Sequence, residues 1–257
     1  MLRPQPKTSE LVNNLIDCIN NYTKPSLFEI KRIEREAKRL PSAHDTNITL
    51  GYLYVAARDY EKAKVHFKNA LTSTLANDYT ISDLAMAYTH AGQMNKARDV
   101  LVDALNQYPN SIIINRNLHF VSIRGLDIEN YLSTLDALTK MKTRTFNETD
   151  SQVFEHLILW HCKHDGMRDK IKNVGDEVFH MVEKYHLTID SQAMLQLPET
   201  DHVSCIYKVI CKDAEIETFD LNWDFSERVV DNELLDVPVV VNFQVVQSPS
   251  KAQIVTS

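Results

Sequence analysis

Glycine occurs only five times in the 257 residues, at Gly51, Gly92, Gly125, Gly166 and Gly175. Loops that cradle phosphate need two or three clustered glycines, so nucleotide chemistry of the familiar kinds is excluded. Long apolar runs are lacking too. No segment approaches the roughly eighteen apolar residues of a membrane span, and the opening MLRPQPKTSE has no apolar core of a secretory signal. Four cysteines, Cys18, Cys162, Cys205 and Cys211, make no disulfide framework in a chain this long. They read as buried thiols in a reducing compartment, which makes the cytoplasm the expected location. A net basic charge is also missing. The formal charge of -7 argues against sequence-independent binding to nucleic acid or to an anionic membrane. The one basic run, Lys31, Arg32, Arg35, Lys38 and Arg39, is interleaved with Glu29, Glu34 and Glu36 and reads as a solvated helix surface.

What the chain does contain is a repeat. DYEKAKVHFKNALTST (59–74) finds a partial echo in QMNKARDVLVDALNQYP (93–109). Leu50, Gly51, Tyr54, Ala63, Phe67 and Ala70 map, 34 positions on, to Leu84, Ala85, Tyr88, Ala97, Leu101 and Ala104, with Leu75 mapping to the helix-terminating Pro109. Such a period has a physical cause. Antiparallel helices approach closely only where Gly or Ala permits, and each pair leaves an apolar face for the next pair to cover. Over about residues 44 to 111 the pattern resembles the tetratricopeptide repeat (TPR) family, with Leu-Gly-x-x-Tyr in helix A, Ala-Phe-Ala in helix B and Pro at the end. A third step, Leu118, His119, Ser122, Tyr131, Leu135 and Leu138, keeps only aliphatic positions, so 112–142 reads as a divergent repeat. Residues 8–41, with the stripe Leu27, Ile30, Ile33, Ala37 and Leu40, read as a capping hairpin. QVFEHLILWHCKH and RDKIKNVGDEVFHMVEKYH are expected to add further helices.

Near residue 200 the apolar period changes from about 3.6 to 2. Alternation runs through Val203, Cys205, Tyr207, Val209 and Cys211, then Phe219, Leu221, Trp223 and Phe225, then Val237, Val239, Val241, Phe243 and Val245. Three strands joined as a small antiparallel meander are the expectation, with one apolar face covered either by the helices or by a second copy of the chain. The expected fold class is therefore α+β: a TPR-like helical stack over 8–198, a β-rich segment over 200–247, and a mobile tail over 248–257.

The resemblance implies a non-enzymatic interaction module of adaptor, assembly or regulatory type, binding a protein or peptide segment in a concave groove lined by the A helices. Counting along the repeats places Tyr52, Val55 and Ala56 there, then Asp83, Met86 and His90, then Arg116, Asn117, Phe120 and Arg124. The Lys and Asn of the family's carboxylate clamp are replaced by Ile48 and Tyr52, so recognition of a chaperone C-terminus is not expected. An apolar, aromatic groove with two arginines at one end suits a peptide with an acidic group near that end. The alternative is an enzyme or metal-dependent protein with a site where helices meet sheet, using His156, His161 or Asp220. His156, His161, Cys162 and His164 cluster, but on a helix they do not close a tetrahedral set, and structural or solvated histidines are the reading. Asp220 and Asp224 read as solubilising charges on a strand. No metal or other cofactor is expected, and homodimerisation through the C-terminal sheet remains open.

Overall fold

Six of the described helices start where the chain offers a short polar side chain to its unpaired amides. Ser26, Ser42, Asp59, Asn77, Ser111 and Asp127 each accept a hydrogen bond from the backbone three residues on. In the computed structural model, which describes residues 7–143, 166–196, 200, 202–211 and 216–246, these caps open a regular series of helices. They are α1 (Lys7–Asn20), α2 (Leu27–Ala37), α3 (Ala43–Ala56), α4 (Tyr60–Leu71), α5 (Asp78–His90), α6 (Met94–Gln107), α7 (Ile112–Arg124) and α8 (Ile128–Lys140). The second helices α4, α6 and α8 begin at residues 60, 94 and 128, each 34 positions after the last. The expected repeat is present as a repeat-like helix series, and residues 8–41 and 112–142, expected as a hairpin and a divergent repeat, hold two helices each. Further on come α9 (Arg168–Lys184), β1 (Leu187–Gln196), β2 (Val203–Cys211), α10 (Thr218–Asp231) and β3 (Val239–Val245).

The chain divides into two compact units with their border at Ala91/Gly92. The first contains α1 to α5. Its core joins Leu15, Ile33, Ala37, Leu50, Leu53 and Ala56 from three helices. Gly51 explains the close approach of α3 and α4. A Cβ there would lie 2.5 Å from the Phe67 ring, so the glycine and phenylalanine of the repeat pattern fit as one pair.

The second unit contains α6 to α10 and the sheet. In the divergent repeat the small positions are refilled. His119 stands where Gly51 stands in the first repeat, and Tyr131 where Ala63 does. Their rings stack at 4.6 Å between centroids, and His119 Nδ1 lies 3.0 Å from Thr134 Oγ1. Burial pushes the His119 pKa down to about 4, so the ring is a neutral packing element. Where α9 crosses the end of α7, a Cβ on Gly175 would collide with the backbone of Gly125, so this crossing admits no larger residue. Arg98 of α6 is buried beside it, with Nη1 2.7 Å from Asp176 Oδ1 and 3.9 Å from Asp127 Oδ2.

The sheet is three-stranded in the order β1-β2-β3 and mixed, which corrects the expected antiparallel meander. β1 pairs with β2 antiparallel and β2 with β3 parallel. The reason is that Phe219 to Phe225, expected as a strand, lie in helix α10 (Thr218–Asp231). A helix between β2 and β3 makes the crossover that parallel neighbours need. The third strand is instead β1, within the segment assigned to the helical stack. Cys205, Tyr207, Val209 and Phe243 point to the buried side, as the alternation required, and the helices of the same unit cover them. Leu221 and Phe225 of α10 are buried, with Phe225 edge-on to Phe243 at 5.5 Å, and Tyr207 Oη donates to the Arg124 carbonyl at 2.8 Å. Burial pushes the Cys205 thiol up to about 12, consistent with an inert buried thiol.

Candidate functional site

In the first unit the expected binding residues come from α3 and α5. Asp83, Met86 and His90 follow the i, i+3, i+7 spacing that puts them on one side of α5, and all three are half-buried. The structure brings Tyr52 and Asp83 together: Tyr52 Oη donates to Asp83 Oδ1 at 2.6 Å, and the Tyr52 ring meets Phe67 edge-on at 5.6 Å. Burial raises the Asp83 pKa to about 7, against the opposing pull of the Tyr52 hydrogen bond, and burial also holds the Tyr52 phenol well above its ordinary value. The pair is therefore a half-buried polar joint between two A helices, with a carboxyl that holds its proton well above the usual carboxylate range. Val55 and Ala56 are buried, and Ala56 belongs to the core around Leu15 and Ile33. Those two expected positions support the unit's interior.

In the second unit the expected residues lie on α7. Arg116 and Phe120 are exposed one turn apart, while Asn117 and Arg124 are half-buried beside them. The Arg124 guanidinium sits over the Phe120 ring, 4.0 Å from its centroid. This is close range for a cation–π contact, which fixes the ring and presents a flat apolar surface bordered by positive charge. The Arg124 carbonyl, bonded by Tyr207, anchors that end of the helix on the sheet.

Of the residues named for the catalytic alternative, Asp220 alone lies among the described residues. His156, His161, Cys162 and His164 lie outside the described residues. Asp220 is exposed on α10, while Asp224 is held by Lys184 Nζ at 2.7 Å and Tyr185 Oη at 3.0 Å, both of which favour its charged form. Asn222, between them, pairs with the backbone of Phe243. Among the described residues no group of three or more His, Cys, Asp or Glu side chains is placed to hold a metal ion. No described helix is long and apolar enough to cross a membrane.

Sequence reasoning missed one surface. Phe219 and Trp223, expected inside the sheet, are 68% and 59% exposed on α10. The signal was present in the spacing: read at a period of 3.6, Leu221 and Phe225 fall on one side of a helix and Phe219, Trp223 and Val230 on the other.

These features define a helical-repeat protein whose last repeat merges into a small α/β unit. The tetratricopeptide repeat family model matches residues 54–115, from the end of α3 to the start of α7, and the helix series is TPR-like. No curated protein and no solved structure matches the chain. The repeat match suggests a protein–protein interaction module.

Proposed function

We propose that the protein is a non-enzymatic adaptor, assembly or regulatory factor, and that the outward face of α7 binds a protein segment carrying an acidic group beside an apolar side chain. One observation carries this reading: Phe120 is exposed under the Arg124 guanidinium, with Arg116 one turn before it on the same helix. A stacked aromatic–arginine pair supplies both an apolar platform and oriented donors for a carboxylate. Aromatic and arginine side chains are also the residues that most often dominate an interface. The Tyr52–Asp83 joint of the first unit, with Met86 and His90 along α5, supports a second contact surface of the same general kind on an A helix.

Selection of a phage-displayed random peptide library on the full chain tests this. Sequences pairing Asp or Glu with a large apolar residue should be enriched. The enrichment should vanish on a Phe120→Ser, Arg124→Gln variant that melts like the wild type. Selection of peptides without acidic residues, or unchanged selection on the variant, would overturn the assignment of α7.

A further inference from the structure

We infer that the outer face of α10 docks a basic, amphipathic helix of another protein. Three sets of contacts fix the inner side of α10. Leu221 and Phe225 pack into the core. The Asn222 side-chain amide donates to the Phe243 carbonyl at 3.0 Å and accepts from its N–H at 2.8 Å, while Thr218 Oγ1 accepts from the Val245 N–H at 3.2 Å. Asp224 bonds Lys184, and Arg228 bonds Glu177. With its inner side so heavily anchored, the helix has no freedom to roll its outer side inward.

That outer side carries Phe219, Trp223 and Val230, all more than half exposed. At 100° per residue they fall within about 40° of one another, a stripe that runs from residue 219 to residue 230, roughly 16 Å of helix. Phe219 and Trp223 stack at 6.1 Å between centroids, and Trp223 Nε1 donates to Glu227 at 2.9 Å. The aromatic rings are thus already ordered, which lowers the entropic cost of binding. Exposed carboxylates Asp220, Glu227 and Asp231 form a row about 80–120° round the helix, along one flank of the stripe.

Charge decides the occupant. Arg228 is the sole cation in Thr218–Asp231, and it faces Glu177, so the charges that α10 presents beside the stripe are acidic. A second copy docking there would bring like charges together, and an anionic bilayer would be repelled. A partner helix with an apolar stripe and a row of Lys or Arg beside it satisfies both features, because helix ridges at i and i+4 interleave with those of a facing helix.

The test uses the full chain and a synthetic eighteen-residue peptide of leucine and lysine with leucines at helical spacing, measured by calorimetry. Two controls accompany it: the same composition scrambled, and glutamate in place of lysine. Binding is expected for the amphipathic lysine peptide alone, weakening as salt rises. Phe219→Ser with Trp223→Ser should weaken it tenfold or more, as should Asp220→Lys with Glu227→Lys. These sites are exposed, so both variants should melt like the wild type. Asp103→Lys, at an exposed site on α6, should leave binding unchanged. Equal binding by either variant, or equal binding of the scrambled peptide, would overturn the proposal. So would a wild-type dimer in sedimentation that Phe219→Ser converts to monomer, since the occupant would then be a second copy.

Discussion

Replacing Asp83 by Asn should stabilise the protein at pH 8 and leave it unchanged near pH 4. Burial lifts the folded-state pKa of Asp83 from an ordinary 3.8 to about 7, so the folded chain prefers the protonated acid. A group whose folded pKa is raised contributes stability that is fully present below its unfolded value and lost as pH climbs through its folded value. Here the loss begins near pH 4 and is complete a little above pH 7. At about 1.4 kcal/mol per tenfold change in proton affinity, the gap from 3.8 to about 7 corresponds to about 4 kcal/mol for a wholly buried acid. Asp83 keeps part of its surface in water, so about 2–4 kcal/mol is expected. Asn keeps an oxygen to accept from Tyr52 and carries no charge at any of these pH values. Urea unfolding of the wild type and Asp83→Asn at pH 4, 5, 6, 7 and 8 should therefore give stabilities that diverge as pH rises, with the variant ahead. The carboxyl carbon resonance of Asp83 should titrate with a midpoint near 7. Parallel stability curves across that range, together with a midpoint near 4, would refute the reasoning and show the carboxylate to be solvated.

Two further outcomes follow from the second unit. Gly175→Ala should destabilise it by about 1–3 kcal/mol or more in thermal unfolding, because the added methyl meets the Gly125 backbone rather than a flexible side chain and α9 must move off α7. A melting point within error of the wild type would mean the crossing is looser than drawn. Arg98→Ala should cost about 3–5 kcal/mol, since Asp127 at 2% exposure loses its nearby cation, and adding Asp127→Asn should recover part of that loss in a double-mutant cycle. Additive effects of the two substitutions would show that the pair is not coupled.

The helical half was legible because its periodicity and its turn chemistry agree. Small residues recur where helices touch, short polar residues stand at helix starts, and Pro41 and Pro109 follow α2 and α6. The C-terminal half misled for two separate reasons. In α10 the apolar residues Phe219, Leu221, Trp223 and Phe225 satisfy a period of 2, yet every second one also fits a helix face. The Asp and Asn residues between them disfavour a strand, and the alternation breaks at SERVVD. In β1 the reverse happened. The register shifts between Ile189 and Ser191, so the inward positions change from Leu187 and Ile189 to Gln192 and Met194, and no unbroken alternation is left to read. Of the expected binding residues, spacing alone could place Arg116, Phe120 and Arg124 on one face. The Tyr52–Asp83 bond joins side chains 31 positions apart and needed the repeat register to bring it within sight.

How the sheet is finished bears on how this unit can bind anything. An edge strand offers unpaired amides to any extended peptide, and strand addition is a common mode of recognition. At β3 that route is obstructed, because Asn222 occupies the Phe243 N–H and carbonyl and Thr218 the Val245 N–H on its outer edge. At β1, whose one strand neighbour among the described residues is β2, the irregularity at Asp190 and the exposed Asp190 and Ser191 interrupt the row that an added strand would follow. With backbone pairing hindered at both edges, the two proposed sites rest on side chains of the helices. Those helices carry opposite signatures: α7 offers an aromatic ring under arginine, and α10 an aromatic stripe beside carboxylates. If both proposed sites bind, their opposite charges favour two different partner segments over two copies of the same one, as the proposed adaptor role requires.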